Sequence, residues 1–231
     1  MAILDFIFPK RCVRCMKFGS YVCGRCASHV HPVLENEMIC PMCEKPAIDG
    51  CTHPKCHTRY GLDGLYSFFH YHNTTRFMVK ALKYRAVYDI AGMCGNFIPA
   101  WSYTLFRKIS GHQVQNAVCI PIPLFSLREK QRGFNQSEIL GRFVSQKLHI
   151  PIAADILYRT KYTVPQVEMK DRKDRLQNMK DVFAISKDAQ SMPRAMILFD
   201  DVWTTGATMR AAANVLKRHG VQTVWAMTFA R

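Results

Sequence analysis

The sequence predicts an α/β protein: a parallel-sheet domain preceded by a small domain stapled by metal. Three observations carry this. Eight of the ten cysteines crowd between Cys12 and Cys56. Beyond them, short apolar runs alternate with stretches of helical periodicity. Late in the chain an apolar run, Met196 to Phe199, opens directly onto two acids and a Thr/Gly turn.

With 231 residues the chain has room for two domains, here 1–60 and 61–231. At 48% hydrophobic and 21% charged it is globular rather than disordered. No apolar run reaches the roughly 18–20 residues of a membrane span. The opening MAILDFIFPKRC is not a signal peptide: its apolar stretch is short, Asp5 breaks it, and its cations follow it. A cytoplasmic protein with reduced thiols is expected. The first 60 residues hold 8 basic and 5 acidic groups and the other 171 hold 24 and 12, so +12 of the net +15 lies in the second part. That excess suits an anionic partner such as phosphate, nucleotide or nucleic acid, or simply a highly charged surface.

The cysteines fall into two sets. Cys12, Cys15, Cys23 and Cys26 read CVRC and CGRC; Cys40, Cys43, Cys51 and Cys56 follow CPMC with two more widely spaced thiols. A CxxC turn converges two thiolates on one ion, and two such turns close a tetrahedral zinc site with Zn–S near ~2.3 Å. The expectation is therefore two structural Zn²⁺ ions in a double zinc ribbon, with sequential pairing chosen for its short loops. Interleaved pairing stays open, as does replacement of a cysteine by His53 or His57 in HPKCH. Four protein ligands leave no open position for catalysis. A disulfide framework would need export. The segment is poor in apolar residues, so metal would supply its folding energy. Cys94 and Cys119 sit in apolar contexts and read as core.

In chain order, residues 65–71 (LYSFFHY) read as a strand. Asn73 is a candidate cap for a helix to about Tyr84, with Phe77, Met78, Ala81 and Leu82 on one face. A second helical stretch runs to about Ile109, interrupted at Gly95 and Pro99, and 117–123 (AVCIPIP) is a short buried strand. Ile139, Leu140, Phe143, Val144 and Leu148 recur at helical spacing within 135–148. Met196 to Phe199 form a strand entering a loop, a helix over 206–219 closes at Gly220, and 222–230 is the last strand. No internal repeat or low-complexity tract is detected.

The loop after Phe199 carries the chemistry. It reads Asp200, Asp201, Val202, Trp203, Thr204, Thr205, Gly206, Ala207, Thr208 and then a helix. In a parallel sheet, ligands bind beyond the carboxyl ends of strands. Amides at a helix start, with three hydroxyls beside them, cradle phosphate. Two adjacent carboxylates accept hydrogen bonds from vicinal sugar hydroxyls. Phosphate next to a ribose diol is what phosphoribosyl pyrophosphate (PRPP) presents. The run resembles the PRPP signature of type I phosphoribosyltransferases, a Rossmann-like fold, with Trp203 where that superfamily usually has a smaller residue.

Two more stretches narrow the resemblance: Arg132-Gly133-Phe134-Asn135-Gln136 ahead of a helix, and LKYR at 82–85. With the cysteine-rich start, and with Leu157, Tyr158, Arg159, Thr163, Gln166, Arg175, Asn178 and Phe183 downstream, the chain resembles the ComF family (competence protein F and GntX type) over nearly its whole length. That resemblance implies a zinc ribbon ahead of a phosphoribosyltransferase-like domain, a role in natural transformation, and binding of PRPP with Mg²⁺ and of single-stranded DNA. It places Arg132, and less firmly Lys83, beside the pyrophosphate. It also implies a flexible hood over about 156–185. Arg159, Lys161, Lys170, Arg172, Lys173, Arg175 and Lys180 stand against four acids in this charged stretch. Lys170, Arg172 and Lys173 are the candidate DNA contacts; a solvated mixed-charge segment and a lid for pyrophosphate are the other readings. Two other functions stay in view. One is an active phosphoribosyltransferase of nucleobase metabolism with an unknown acceptor. The other is a ribbon module docking a DNA-uptake helicase or channel protein.

Overall fold

The computed structural model describes residues 9–83, 87–99, 101–102, 104, 106, 116–161, 182–186 and 192–231. Its centre is a four-stranded, wholly parallel sheet in the order β1-β6-β5-β2, formed by β1 (Gly64–Phe69), β2 (Val118–Pro121), β5 (Ala195–Val202) and β6 (Thr223–Ala230). Ile152 adds a parallel bridge to Cys119 outside β2. The strands read as near-continuous apolar runs because both faces are covered.

Successive side chains serve opposite faces. Ile197, Phe199, Trp225, Met227, Tyr66 and Phe68 enter one core, together with Met78, Ile90, Leu140 and Val144. Those last four come from helices α2 (Asn73–Ala81), α3 (Val87–Phe97) and α5 (Gln136–Leu148). Met196, Leu198, Val224, Ala226 and Leu65 enter the other core, against Met209, Ala212, Ala213 and Leu216 of α6 (Ala207–Arg218). Trp225 accounts for Gly64: a Cβ there would lie 2.5 Å from the indole ring.

Two expectations shift. Asn73 is no cap: His72 precedes the helix, no side chain caps it, and Asn73 itself takes φ 45°. Short elements also appear that periodicity did not mark. Helix α4 (Ser126–Arg132) ends at Gly133, φ 79°. Strands β3 (Leu157–Arg159) and β4 (Phe183–Ile185) pair antiparallel. They flank the charged stretch, and Leu157, Val182 and Phe183 are anchored in the second core.

Among the described residues, the cysteine-rich segment contains a short α-helix, α1 (Gly24–Ala27), three 3-10 turns and two knuckles of the same build. In the first, Cys12 N–H donates to Lys17 and Met16 N–H to Cys12; in the second, Cys40 donates to Lys45 and Glu44 to Cys40. Met16 and Glu44 both take φ near 60° (62° and 61°). The knuckles are thus a backbone repeat that the sequence did not reveal. The segment is tied to the sheet through bridges Pro32–Phe69 and Cys51–Gly64 on β1. Further ties are Thr74 Oγ1 donating to Cys26 O (2.8 Å) and Tyr21 OH donating to Asp89 (3.2 Å). At the start of the second part, Lys217 Nζ, buried, lies 2.7 Å from Oδ1 of the half-buried Asp63, whose Oδ2 also accepts from Val224 N–H (2.7 Å). No helix among the described residues is long and apolar enough to cross a membrane.

Candidate functional site

The two knuckles assemble two four-ligand clusters. Cys12, Cys15, Cys23 and Cys26 form the first, with all four donor atoms within 4.8 Å of one another. Cys15 and Cys23 Sγ are 3.6 Å apart, close to the ~3.8 Å edge of a zinc–thiolate tetrahedron. The thiol environments suit a dication. Burial raises Cys12, yet the N–H groups of Cys15, Cys23 and Arg14 bring it down to about 6. Burial and the neighbouring sulfurs push Cys26 up to about 12. Four thiolates this close need a cation between them.

The second cluster corrects the expected ligand set: it is Cys40, Cys43, His53 and Cys56, without Cys51. Cys51 is turned into the bridge with Gly64 and packs against the first core. Burial, then the charges of Asp49 and Asp63, push its thiol up. His53 is prepared as a ligand. Its Nε2–H donates to Pro46 O (3.0 Å), leaving Nδ1 facing Cys43 Sγ at 3.4 Å. Both clusters then read CxxC followed by a second pair with the same two-residue gap, which in the second is His53 and Cys56. Both fit Zn²⁺, and all ten cysteines are free of disulfides.

The acid pair does not leave the strand as expected: β5 runs through Val202, so Asp200 and Asp201 are its carboxyl-terminal rungs. Asp200 Oδ1 accepts from Ser137 Oγ (2.6 Å) and from Asp201 N–H (2.9 Å). Burial, then the charge of Asp201, push the Asp200 carboxyl well above the usual carboxylate range. Asp201 is 8% exposed, and its Oδ2 has no hydrogen-bond partner among the described residues.

Beyond β5 the turn reaches Gly206 in a left-handed conformation (φ 66°), which starts α6. Thr204 is exposed, Thr205 and Thr208 are half-buried, and Gly206 and Ala207 are covered. Ala207 N–H points at Thr205 Oγ1 (3.5 Å). Trp203 belongs to the second core at 5% exposure, its ring lying under Gly206. It forms the floor of the turn, with Val202 packed on the opposite face.

Helix α5 brings the RGFNQ stretch to this place. Asn135 Oδ1 caps it by accepting from Ser137 N–H (3.1 Å), and Asn135 Nδ2 donates to Ile122 O beyond β2 (3.1 Å). Arg132 Nη1 donates to Gln136 Oε1 (2.9 Å) at the same helix start. Lys83 stands exposed two residues past α2, and no hydrogen bond or ion pair joins it to the loop among the described residues. Lys170, Arg172 and Lys173 lie outside the described residues.

Ser137, Tyr71 and Arg76 are contributors that the sequence did not mark, whereas Arg159 is one of the cations of the expected hood. Ser137 follows directly on the RGFNQ stretch. Arg159 feels the charges of Arg128 and Asp200 while burial lowers its pKa, and its guanidinium sits 5.6 Å from the Phe183 ring. Burial raises the Tyr71 phenol; Arg76, hydrogen-bonded to it, opposes that shift and the Asp201 charge reinforces it. Arg159 thus lies within electrostatic reach of Asp200, and Tyr71 within reach of Asp201.

No family model matches the chain. Competence protein F of Haemophilus influenzae is 26% identical over 234 aligned residues, covering 94% of this chain and 99% of that protein. Competence protein ComFC of Bacillus subtilis is 27% identical across 89% of this chain and 81% of its own length. DNA utilization protein YhgH of Escherichia coli O157:H7 is 36% identical over 118 residues, about half of each chain (51% and 50%). The similarity to competence protein F runs the whole length of that protein, and in this chain two four-ligand cysteine-rich clusters stand ahead of the sheet.

Proposed function

We propose that this is a ComF-type protein of natural transformation that handles incoming single-stranded DNA in the cytoplasm and holds PRPP in its sheet domain. The names of its relatives, competence and DNA utilization, support the first part. One observation carries the second: two carboxylates at the end of β5, propped by Ser137, adjoin a helix-starting turn with Thr204, Thr205 and Thr208. In this reading the 5′-phosphate sits on the amides and hydroxyls of 202–208. Asp200 and Asp201 take the ribose hydroxyls, directly or through Mg²⁺. Arg132 and Arg159 face the pyrophosphate. Mg²⁺ supplies charge neutralisation on that leaving group. Turnover would consist of attack at C1′ by an acceptor nitrogen, with pyrophosphate departing. A protein partner, an uptake helicase or channel component, would receive or deliver the strand.

Calorimetric titration with PRPP and Mg²⁺ tests the pocket: the parent binds, and the Asp200→Ala/Asp201→Ala protein, folded by circular dichroism, does not. Equal affinity in that variant rejects the assignment. A panel of nucleobases and DNA scored for pyrophosphate release then separates an enzyme from a PRPP-dependent binder. For DNA, each phosphate neutralised on a single strand contributes about −0.7 to the slope of log K against log salt, so four to six contacts give roughly −3 to −4. Binding indifferent to salt would remove the electrostatic account.

A further inference from the structure

The second metal cluster and the turn at 203–206 touch through one side chain. Arg210, on the first turns of α6, donates from Nη1 to Pro41 O at 2.7 Å and from Nη2 to Thr205 O. Its guanidinium carbon lies 5.7 Å from the centre of the Trp203 ring. Pro41 is the residue between Cys40, a ligand of the second cluster, and Met42 of the same knuckle. Cys40 is wholly buried, and its preceding neighbour Ile39 packs against the core that contains Trp203. Gly206 is confined between the Trp203 ring and Arg210 Nη1, which would stand 2.8 Å from an added Cβ. One side of the turn thus rests on the sheet core and the other is held by the knuckle.

This arrangement has a direction. Thr205 sits in the turn, and its carbonyl is pulled toward Arg210, so its amide plane is set by where the guanidinium lies. The guanidinium in turn is aligned by Pro41 O, one residue from Cys40, whose sulfur is a ligand candidate of the second cluster. Without its ion the knuckle loses the closure that fixes the Cys40 and Cys43 sulfurs, and the Cys40–Lys45 and Glu44–Cys40 backbone hydrogen bonds hold that carbonyl less firmly.

We propose that Arg210 is a positioning residue that makes the shape of the 204–206 turn depend on occupancy of the second metal cluster. The first cluster has no such link among the described residues, so the two ions are not equivalent: one fastens the ribbon, the other also sets the turn. The consequence for PRPP affinity rests on the proposed role of that turn; the coupling itself does not.

Amide hydrogen exchange at 204–208 in the full-length, ligand-free protein tests the coupling, with zinc content measured on the same samples. His53→Ala, which empties only the second cluster, should speed exchange there by roughly fivefold or more, the usual floor for a coupling between sites. Arg210→Leu should show the same acceleration while retaining both ions, Arg210→Lys should restore part of the protection, and His53→Ala added to Arg210→Leu should change little further. Equal acceleration by His53→Ala in both backgrounds overturns the proposal, as does normal protection in Arg210→Leu. Where His53→Ala fails to fold, release of the second zinc to a colorimetric chelator decides. Linkage requires release to be several-fold faster in Arg210→Leu than in the parent, and equal rates refute it. Because no PRPP is present, failure of the PRPP reading would leave these outcomes unchanged. PRPP titration of Arg210→Leu reports separately on the consequence.

Discussion

Replacing Gly206 by alanine gives the sharpest check on the turn. Gly206 has φ 66°, and a Cβ there would fall well inside 3.0 Å of the Trp203 ring and 2.8 Å from Arg210 Nη1. Left-handed backbone costs a non-glycine residue about 1–2 kcal/mol. Inserting a methyl group into packed surroundings adds about 1–3 kcal/mol, and Trp203, 5% exposed, has little room to retreat. The sum is about 2–5 kcal/mol, which at ~2–4 °C per kcal/mol for a chain of this size lowers the melting midpoint by at least about 4 °C. Gly133→Ala is the control: φ is 79°, but nothing lies within 4 Å of the added carbon, so only the backbone cost remains. Urea unfolding at saturating zinc would compare the two variants. Trp203→Leu in the Gly206→Ala background should recover part of the loss, a non-additivity expected of side chains in contact. Equal costs at Gly206 and Gly133, or strict additivity with Trp203→Leu, would refute the packing argument.

Metal analysis of the purified protein should return two zinc ions per chain; His53→Ala should keep one and Cys51→Ala both, and a zinc lost with Cys51 would reverse the ligand assignment. Lys217→Met leaves the half-buried Asp63 with Val224 N–H and with His57, whose Nε2 is 3.6 Å away, so urea unfolding should show a loss of about 2–4 kcal/mol, discounted from the fully buried case, that Asp63→Asn partly relieves. A loss under about 1 kcal/mol would show that the pair is solvated. For Asp200 the folded carboxyl is held above its ordinary value, so its ionisation opposes folding: the stabilisation is complete below the unfolded pKa and is lost as pH rises through the folded one. Asp200→Asn should therefore match the parent near the bottom of that window and exceed it above, while PRPP affinity falls. A parent that gains on the variant as pH rises would contradict the assignment.

Much of this was legible in the sequence, for physical reasons that also explain the gaps. Runs such as Met196 to Phe199 and the stretch around Trp225 announce strands because a parallel sheet buries both faces. The CxxC pairs announce metal because the spacing itself builds the turn. Cys51 misled because counting thiols ignored the gap: His53 and Cys56 share the two-residue spacing of the other pairs, whereas Cys51 and Cys56 do not. Ser137 and Tyr71 come within reach of the acid pair only through tertiary folding, so no local pattern marks them. Strands β3 and β4, three residues each, are too short to show a period.

The strand order β1-β6-β5-β2 bears on how the chain is made. β1 leaves the ribosome early, yet its sheet partner, β6, is the last strand to emerge, and such long-range pairing is slow to form. Meanwhile the apolar run of β1 is a hazard for aggregation. The ribbon segment, made just before it, already carries Pro32 and Cys51, which bridge Phe69 and Gly64, and Val33, whose N–H donates to Phe68 O. A nascent ribbon that has captured its metal supplies β1 with a partner before β6 exists. If zinc fills these clusters during translation, its supply should bear on the yield of folded protein, which expression with and without added zinc would measure.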